Sequence, residues 1–203
     1  MLSGDREEGD AIAVALLSRL SDLAPVCFVN GNHEMCVERH QPERYQKFMD
    51  DLKNGGVQVL HNETACFWID GEKVAVTGYE LPWEYYRRFS RRHPSVVGME
   101  RSIGKRKQDA YQILLTHNPV FFEEYTAWGA DFTFAGHLHG GFIRLPYFGG
   151  VISPQFQLVP EVRPQSVSDG YKQHGSSVPA MGNHSGLFRI NNPTEIVTVR
   201  IKR

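Results

Sequence analysis

Cysteine is scarce in this sequence: three in 203 residues, Cys27, Cys36 and Cys66, with no C-x-x-C spacing. That excludes a disulfide framework and a zinc knuckle, and the three read as buried or half-buried thiols of a reducing compartment. Long apolar runs are missing too, and none approaches the roughly 20 residues of a membrane span. Asp5, Glu7, Glu8 and Asp10 stand where a signal peptide needs basic and then apolar residues. An excess of one charge is also lacking. With 22 Lys and Arg against 23 Asp and Glu, the net charge of −1 gives no global reason to expect nucleic acid or an anionic membrane as partner. There is no internal repeat and no low-complexity segment.

What remains is an ordinary soluble composition, 41% hydrophobic and 22% charged, at a length that favours a single domain over residues 1–203. The nine histidines are many for this length and direct attention to a metal or phosphate site.

The pattern of elements is α/β. Asp10 is placed to cap a helix over 11–23, with Ile12, Leu16, Leu17, Leu20 and Leu23 at helical spacing. Val26-Cys27-Phe28-Val29 reads as a strand buried on both faces, and Pro42 opens a helix carrying Tyr45, Phe48, Met49 and Leu52. Strands follow at 57–60 and 65–69, with Asp70-Gly71 turning into 73–77. A further strand, 113–116, leads to a helix with Phe121, Phe122, Tyr125 and Trp128 that stops at Gly129. Beyond it lie a strand at 132–135, a hairpin over 142–145 and 150–153, a loop over 160–186, and closing strands at 187–190 and 195–201.

Four apolar strands share one design, a potential ligand at the carboxyl end: Asp5, Asn32-His33, His117, and His137 with His139. In open α/β sheets ligands bind outside those ends, so the four can share a site. Each also has a plain structural reading. Asp5 suits a turn, Asn32 a glycine-associated turn, and His117 a capped strand end ahead of a proline-initiated helix. The pair in Gly136-His137-Leu138-His139-Gly140-Gly141 suits a solvated loop, and its glycines suit a tight turn.

Together, Gly4-Asp5, Gly31-Asn32-His33-Glu34, His117 and Gly136-His137-Leu138-His139 occur in the order found in calcineurin-like metallophosphoesterases. Gly149-Gly150-Val151-Ile152-Ser153-Pro154-Gln155 and Phe188-Arg189-Ile190-Asn191-Asn192-Pro193 resemble the bacterial branch of that family. The resemblance implies a metallophosphoesterase-type four-layer αββα sandwich with two metal ions about 3.5 Å apart at the strand ends. It implies that Asp5 bridges both metals, that Asn32, His117 and His137 complete the second site, and that His139 binds the first. His33 is implied as the catalytic group at the phosphoryl, stabilising its charge or protonating the leaving oxygen. Glu34 is implied to orient His33. Such donors favour Mn, Fe or Zn over Mg. The implied reaction is hydrolysis of a phosphomono- or phosphodiester by a metal-bound hydroxide.

The sequence departs from the pattern in two places. The family's first motif, Asp-x-His on the first strand, is absent, which leaves only Asp5 and His139 for the first metal. Losing that strand leaves unpaired backbone and an apolar slot, so the expectation is an N-terminally truncated chain. The complete protein then holds two divalent metal ions and this chain as few as one. Glu8 also replaces the last Asp of the usual Gly-Asp-x-x-Asp.

The stretch 81–107 is a basic and aromatic insert. Arg87, Arg88, Arg91, Arg92, Arg101, Lys105, Arg106 and Lys107 read either as an approach for a phosphorylated small-molecule or lipid-linked substrate or as a solvated surface. Trp83, Tyr85 and Tyr86 read as an apolar lip or as core packing. Tyr171, His174, Asn183 and His184 are further groups that a loop can bring to a substrate. No nucleic-acid partner is expected. The expected compartment is the cytoplasm, unless a missing N-terminal segment carries an anchor or export signal, and oligomeric state is not readable. The competing reading is a metal-impaired or inactive phosphoester-binding domain. A metal-dependent amidohydrolase also uses His-x-His, but early in the chain and without Gly-Asn-His-Glu.

Overall fold

The computed structural model describes residues 7–86, 92–137, 144–145, 149–150, 174–177 and 198–201. The first helix, α1 (Glu7–Ser21), starts and ends earlier than its spacing predicts. Asp10 is not its cap. It lies inside the helix and takes a two-pronged ion pair from Arg44, Nε to Oδ2 at 2.7 Å and Nη2 to Oδ1 at 3.0 Å. The apolar stripe of α1 divides. Ala13, Val14 and Leu17 pack inward, whereas Ile12, Leu16, Leu20 and Leu23 are exposed.

Strand β1 (Cys27–Phe28) is short and half-buried rather than buried on both faces. It leads into α2 (Asn32–His40), a helix that the sequence pattern did not reveal because it begins within the motif itself. Its start is fixed by Glu34, whose Oε2 accepts the Gly31 amide at 2.7 Å and so satisfies one of the donors left open at a helix N-terminus. Helix α3 (Pro42–Asn54) buries Tyr45, Phe48, Met49 and Leu52, as the spacing predicts. Strand β2 (Gln58–Val59) runs parallel to β1. One core joins these elements, with Val37, Tyr45, Phe48, Met49, Leu52, Val57 and Val59 at its centre.

The larger sheet opens with β3 (Thr64–Ile69), which turns through Asp70-Gly71, both at positive φ, into β4 (Glu72–Tyr79). Helix α4 (Val96–Ile103) crosses to β5 (Tyr111–Thr116), and α5 (Phe122–Trp128) crosses to β6 (Phe132–Ala135). Strands β7 (Arg144–Leu145) and β8 (Gly149–Gly150) form the expected hairpin ladder. The span 160–186, expected as a loop, contains β9 (His174–Ser177), parallel to β6. Residues 198–201, inside an expected strand, carry no strand. The sheet order is β3-β4-β5-β6-β9, parallel except for β3 at one edge. These sheets and their helices give the expected mixed α/β architecture.

The described part of 81–107 is not a protrusion. It is the crossover between parallel strands β4 and β5, and α4 buries Met99 and Ile103 against Leu81, Leu114, Tyr125 and Trp128. Tyr85 and Tyr86 pack on this core, while Trp83 is exposed. Two of the cations are spent on internal pairs, Arg92 with Glu84 at 2.8 Å and Arg106 with Asp131 at 3.4 Å. The sheets approach closely at Gly78, where a Cβ would sit 2.4 Å from the Leu60 carbonyl oxygen. Of the cysteines, only Cys27 is half-buried, and burial pushes its thiol pKa up; Cys36 and Cys66 are exposed. No helix among the described residues is long and apolar enough to cross a membrane.

Candidate active site

The carboxyl ends of the parallel strands carry a polar set. Asn30-Gly31-Asn32 follows β1, His61 follows β2, Glu80 follows β4, His117 follows β5, and Gly136-His137 follows β6. Such ends are where open α/β sheets place ligands. His117 and His137 are both buried, with His137 Nδ1 3.2 Å from His117 Nε2 and the rings edge-to-face at 5.0 Å. Hydrogen bonding between the strand ends holds the pair in place, since the Gly136 amide donates to the His117 carbonyl at 3.1 Å.

The tight turn predicted for the flanking glycine falls on the histidine itself. His137 has φ +64, a left-handed conformation that costs a non-glycine residue about 1–3 kcal/mol and persists mainly at functional sites. Gly31 is needed for another reason. A Cβ there would lie 2.7 Å from His117 Nδ1 and 2.9 Å from Glu34 Oε2, so only glycine lets the motif backbone lie against the imidazole.

Asn32 and His33 occupy the first turn of α2 beside that contact. The Asn32 Oδ1 atom is buried and has no hydrogen-bond partner among the described residues. An orphaned amide oxygen carries a desolvation cost of about 1–3 kcal/mol, which a cation removes. Imidazole nitrogen and amide oxygen are donor types a transition metal takes, so the chemistry of His117, His137 and Asn32 suits one. Among the described residues no group of three or more His, Cys, Asp or Glu side chains is arranged to hold a metal. Asp5 and His139 lie outside the described residues. Glu34, expected to orient His33, is buried and holds the Gly31 amide.

Sequence reasoning missed a second layer. The Asn30 side-chain amide donates to the Tyr45 hydroxyl at 2.6 Å and lies 3.4 Å from His61 Nδ1, which in turn sits 2.9 Å from Glu80 Oε1. The bond to Glu80 raises the His61 pKa above its ordinary value, against a smaller opposing effect of burial. Burial pushes the Tyr45 phenol up to about 12. The available signal was position alone: His61 and Glu80 each directly follow a strand. Tyr86, read from the sequence as lip or core packing, has its ring 6.1 Å from His117 and 5.6 Å from His137. Burial, then the nearby Glu34 and Glu80, push its phenol well above the usual range.

A calcineurin-like phosphoesterase family model matches residues 3–141, the span that contains every one of these strand ends. The chain belongs to that family. Its members generally use divalent metal ions. The uncharacterized protein YpbG of Bacillus subtilis is 27% identical over 157 residues, covering 73% of this chain and 53% of that protein. The phosphodiesterase YaeI of Escherichia coli is 24% identical over 139 residues, 68% of this chain and 46% of that protein. The uncharacterized metallophosphoesterase YkuE of B. subtilis is 28% identical over 91 residues, 45% of this chain and 29% of that protein. The chain thus spans about half the length, or less, of these curated relatives. No solved structure matches it.

Proposed function

We propose that this protein is a metal-dependent phosphoesterase that hydrolyses a phosphomono- or phosphodiester of a small or lipid-linked molecule. The observation that carries the reading is the buried pair His117 and His137 at the ends of neighbouring strands, with the motif backbone at Gly31 lying against the His117 ring. Asn32, His117 and His137 would hold one divalent ion, with Asp5 as a bridging ligand and His139 on a second ion. When bound, such ions neutralise charge on the phosphoryl oxygens and make water a stronger nucleophile at neutral pH.

This chain's own residues do the rest. Gly31 seats the motif backbone against the His117 ring, and His137, in a left-handed backbone conformation, sets its Nδ1 3.2 Å from His117 Nε2. Glu34 anchors the start of α2 through the Gly31 amide, which fixes where His33 projects. His33 then donates its imidazole N–H to a phosphoryl oxygen or to the leaving oxygen. Manganese, iron and zinc suit these donors.

The test is metal content by mass spectrometry, with turnover of an aryl phosphodiester. Two equivalents of metal and a kcat lowered about 10²–10⁴-fold by His33→Ala support the enzyme. The second reading, a metal-impaired phosphoester-binding domain, draws on the lack of an Asp-x-His motif in the sequence, which leaves only Asp5 and His139 for the first metal. One equivalent or none, without turnover, supports it.

A further inference from the structure

Tyr86 closes the short 3-10 turn Trp83–Tyr86, and its ring packs on both imidazoles, edge-to-face with His137. Ring packing alone needs only phenylalanine. Yet the Tyr86 hydroxyl oxygen is buried and has no hydrogen-bond partner among the described residues. Buried tyrosine hydroxyls normally find one, and two others here do: Tyr125 donates to the Asn118 carbonyl at 2.7 Å, and Tyr45 accepts from Asn30 at 2.6 Å. The exception is the tyrosine that touches the candidate metal-binding pair.

We propose that Tyr86 is a substrate-binding residue whose hydroxyl donates a hydrogen bond to an oxygen of the phosphoryl group held beside His117 and His137. The proposal rests on the phosphoesterase reading and deepens it by assigning a neutral donor to the bound oxyanion. A phenol is suited to the task. It is a donor that adds no charge beside a cation, and an O–H to O⁻ bond is among the stronger hydrogen bonds. The ring packs on both imidazoles, which holds the tyrosine beside them.

The experiment uses the full chain loaded with Mn²⁺ and inorganic phosphate as the probe. Calorimetry measures Mn²⁺ and then phosphate affinity for the parent and for Tyr86→Phe, and thermal melts record stability. The expected result is unchanged Mn²⁺ affinity, phosphate affinity about 10-fold weaker, and a melting temperature equal or higher, because an unmet buried hydroxyl has been removed. Unchanged phosphate affinity in Tyr86→Phe overturns the proposal while leaving the phosphoesterase reading intact. Lost Mn²⁺ affinity overturns it too, by showing that the residue acts on the histidines. If the Mn²⁺-loaded parent binds no phosphate, the phosphoesterase reading fails and the proposal falls with it.

Discussion

His137 Nδ1 stands 3.2 Å from His117 Nε2, although the two residues are carried on different strands. That spacing allows one shared proton between the rings, or a cation in its place, but not two protonated imidazoles facing each other. The pair arises because β5 and β6 are parallel neighbours, with Leu115 opposite Phe134, so the residues just past their ends lie side by side.

Removing either ring should therefore abolish tight metal binding. His117→Ala and His137→Ala are each expected to weaken Mn²⁺ affinity by more than the roughly 10–100-fold that loss of an outer hydrogen-bond partner costs. Calorimetric titration checks this. Parent-like affinity in either variant would show that the pair is structural.

Gly31→Ala places a Cβ 2.7 Å from His117 Nδ1, whereas the equivalent Cβ at Gly136 meets the same atom at an ordinary 3.5 Å. The first substitution should cost about 1–3 kcal/mol by overpacking, and metal affinity should fall with it. Gly136→Ala should be tolerated. Urea midpoints for the two variants give the comparison, and equal losses would contradict it.

The contact between His61 and Glu80 makes stability depend on pH. Because the bond raises the folded-state pKa of His61, its contribution is fully present below the ordinary 6.5 and is lost as pH rises through the raised value. Both side chains are partly exposed, so the effect should stay under about 1 kcal/mol. Denaturation midpoints across this range should fall more steeply for the parent than for Glu80→Gln. Parallel curves would count against the bond.

Arg44 ties α3 to α1 through a planar fork on Asp10, with both side chains largely buried. Arg44→Ala should cost about 1.5–3 kcal/mol, the range for hydrogen bonds to charged groups, and Arg44→Lys should recover only part of that because the fork is lost. Chemical denaturation of the three proteins decides it, and full recovery by lysine would show that charge alone matters.

Much of this was legible in the linear pattern. Apolar periodicity placed α3 and its buried face, and Asp70-Gly71 marked the β3–β4 turn, because local spacing and turn residues act within a few positions. Motif order pointed to His117 and His137 and to the family. Other features depend on distant partners. Asp10 has the chemistry of a cap, but Arg44, 34 positions away, claims its carboxylate. Tyr86 looked like core or lip, and only the β4–β5 crossover sets it on the two histidines. Strand β9 is a four-residue run, His174–Ser177, with no apolar alternation, and only its place beside β6 gives it strand form.

The sequence by itself determined the family and which side chains are candidates for a metal and a phosphoryl oxygen, since side-chain type and motif spacing need no fold to be read. Tertiary structure alone decided that two imidazoles meet, that Gly31 must be bare beside one of them, and that a phenol with no partner among the described residues lies against both. Those relationships are set by strand adjacency and steric contact across 20 to more than 80 positions, and no local periodicity encodes them.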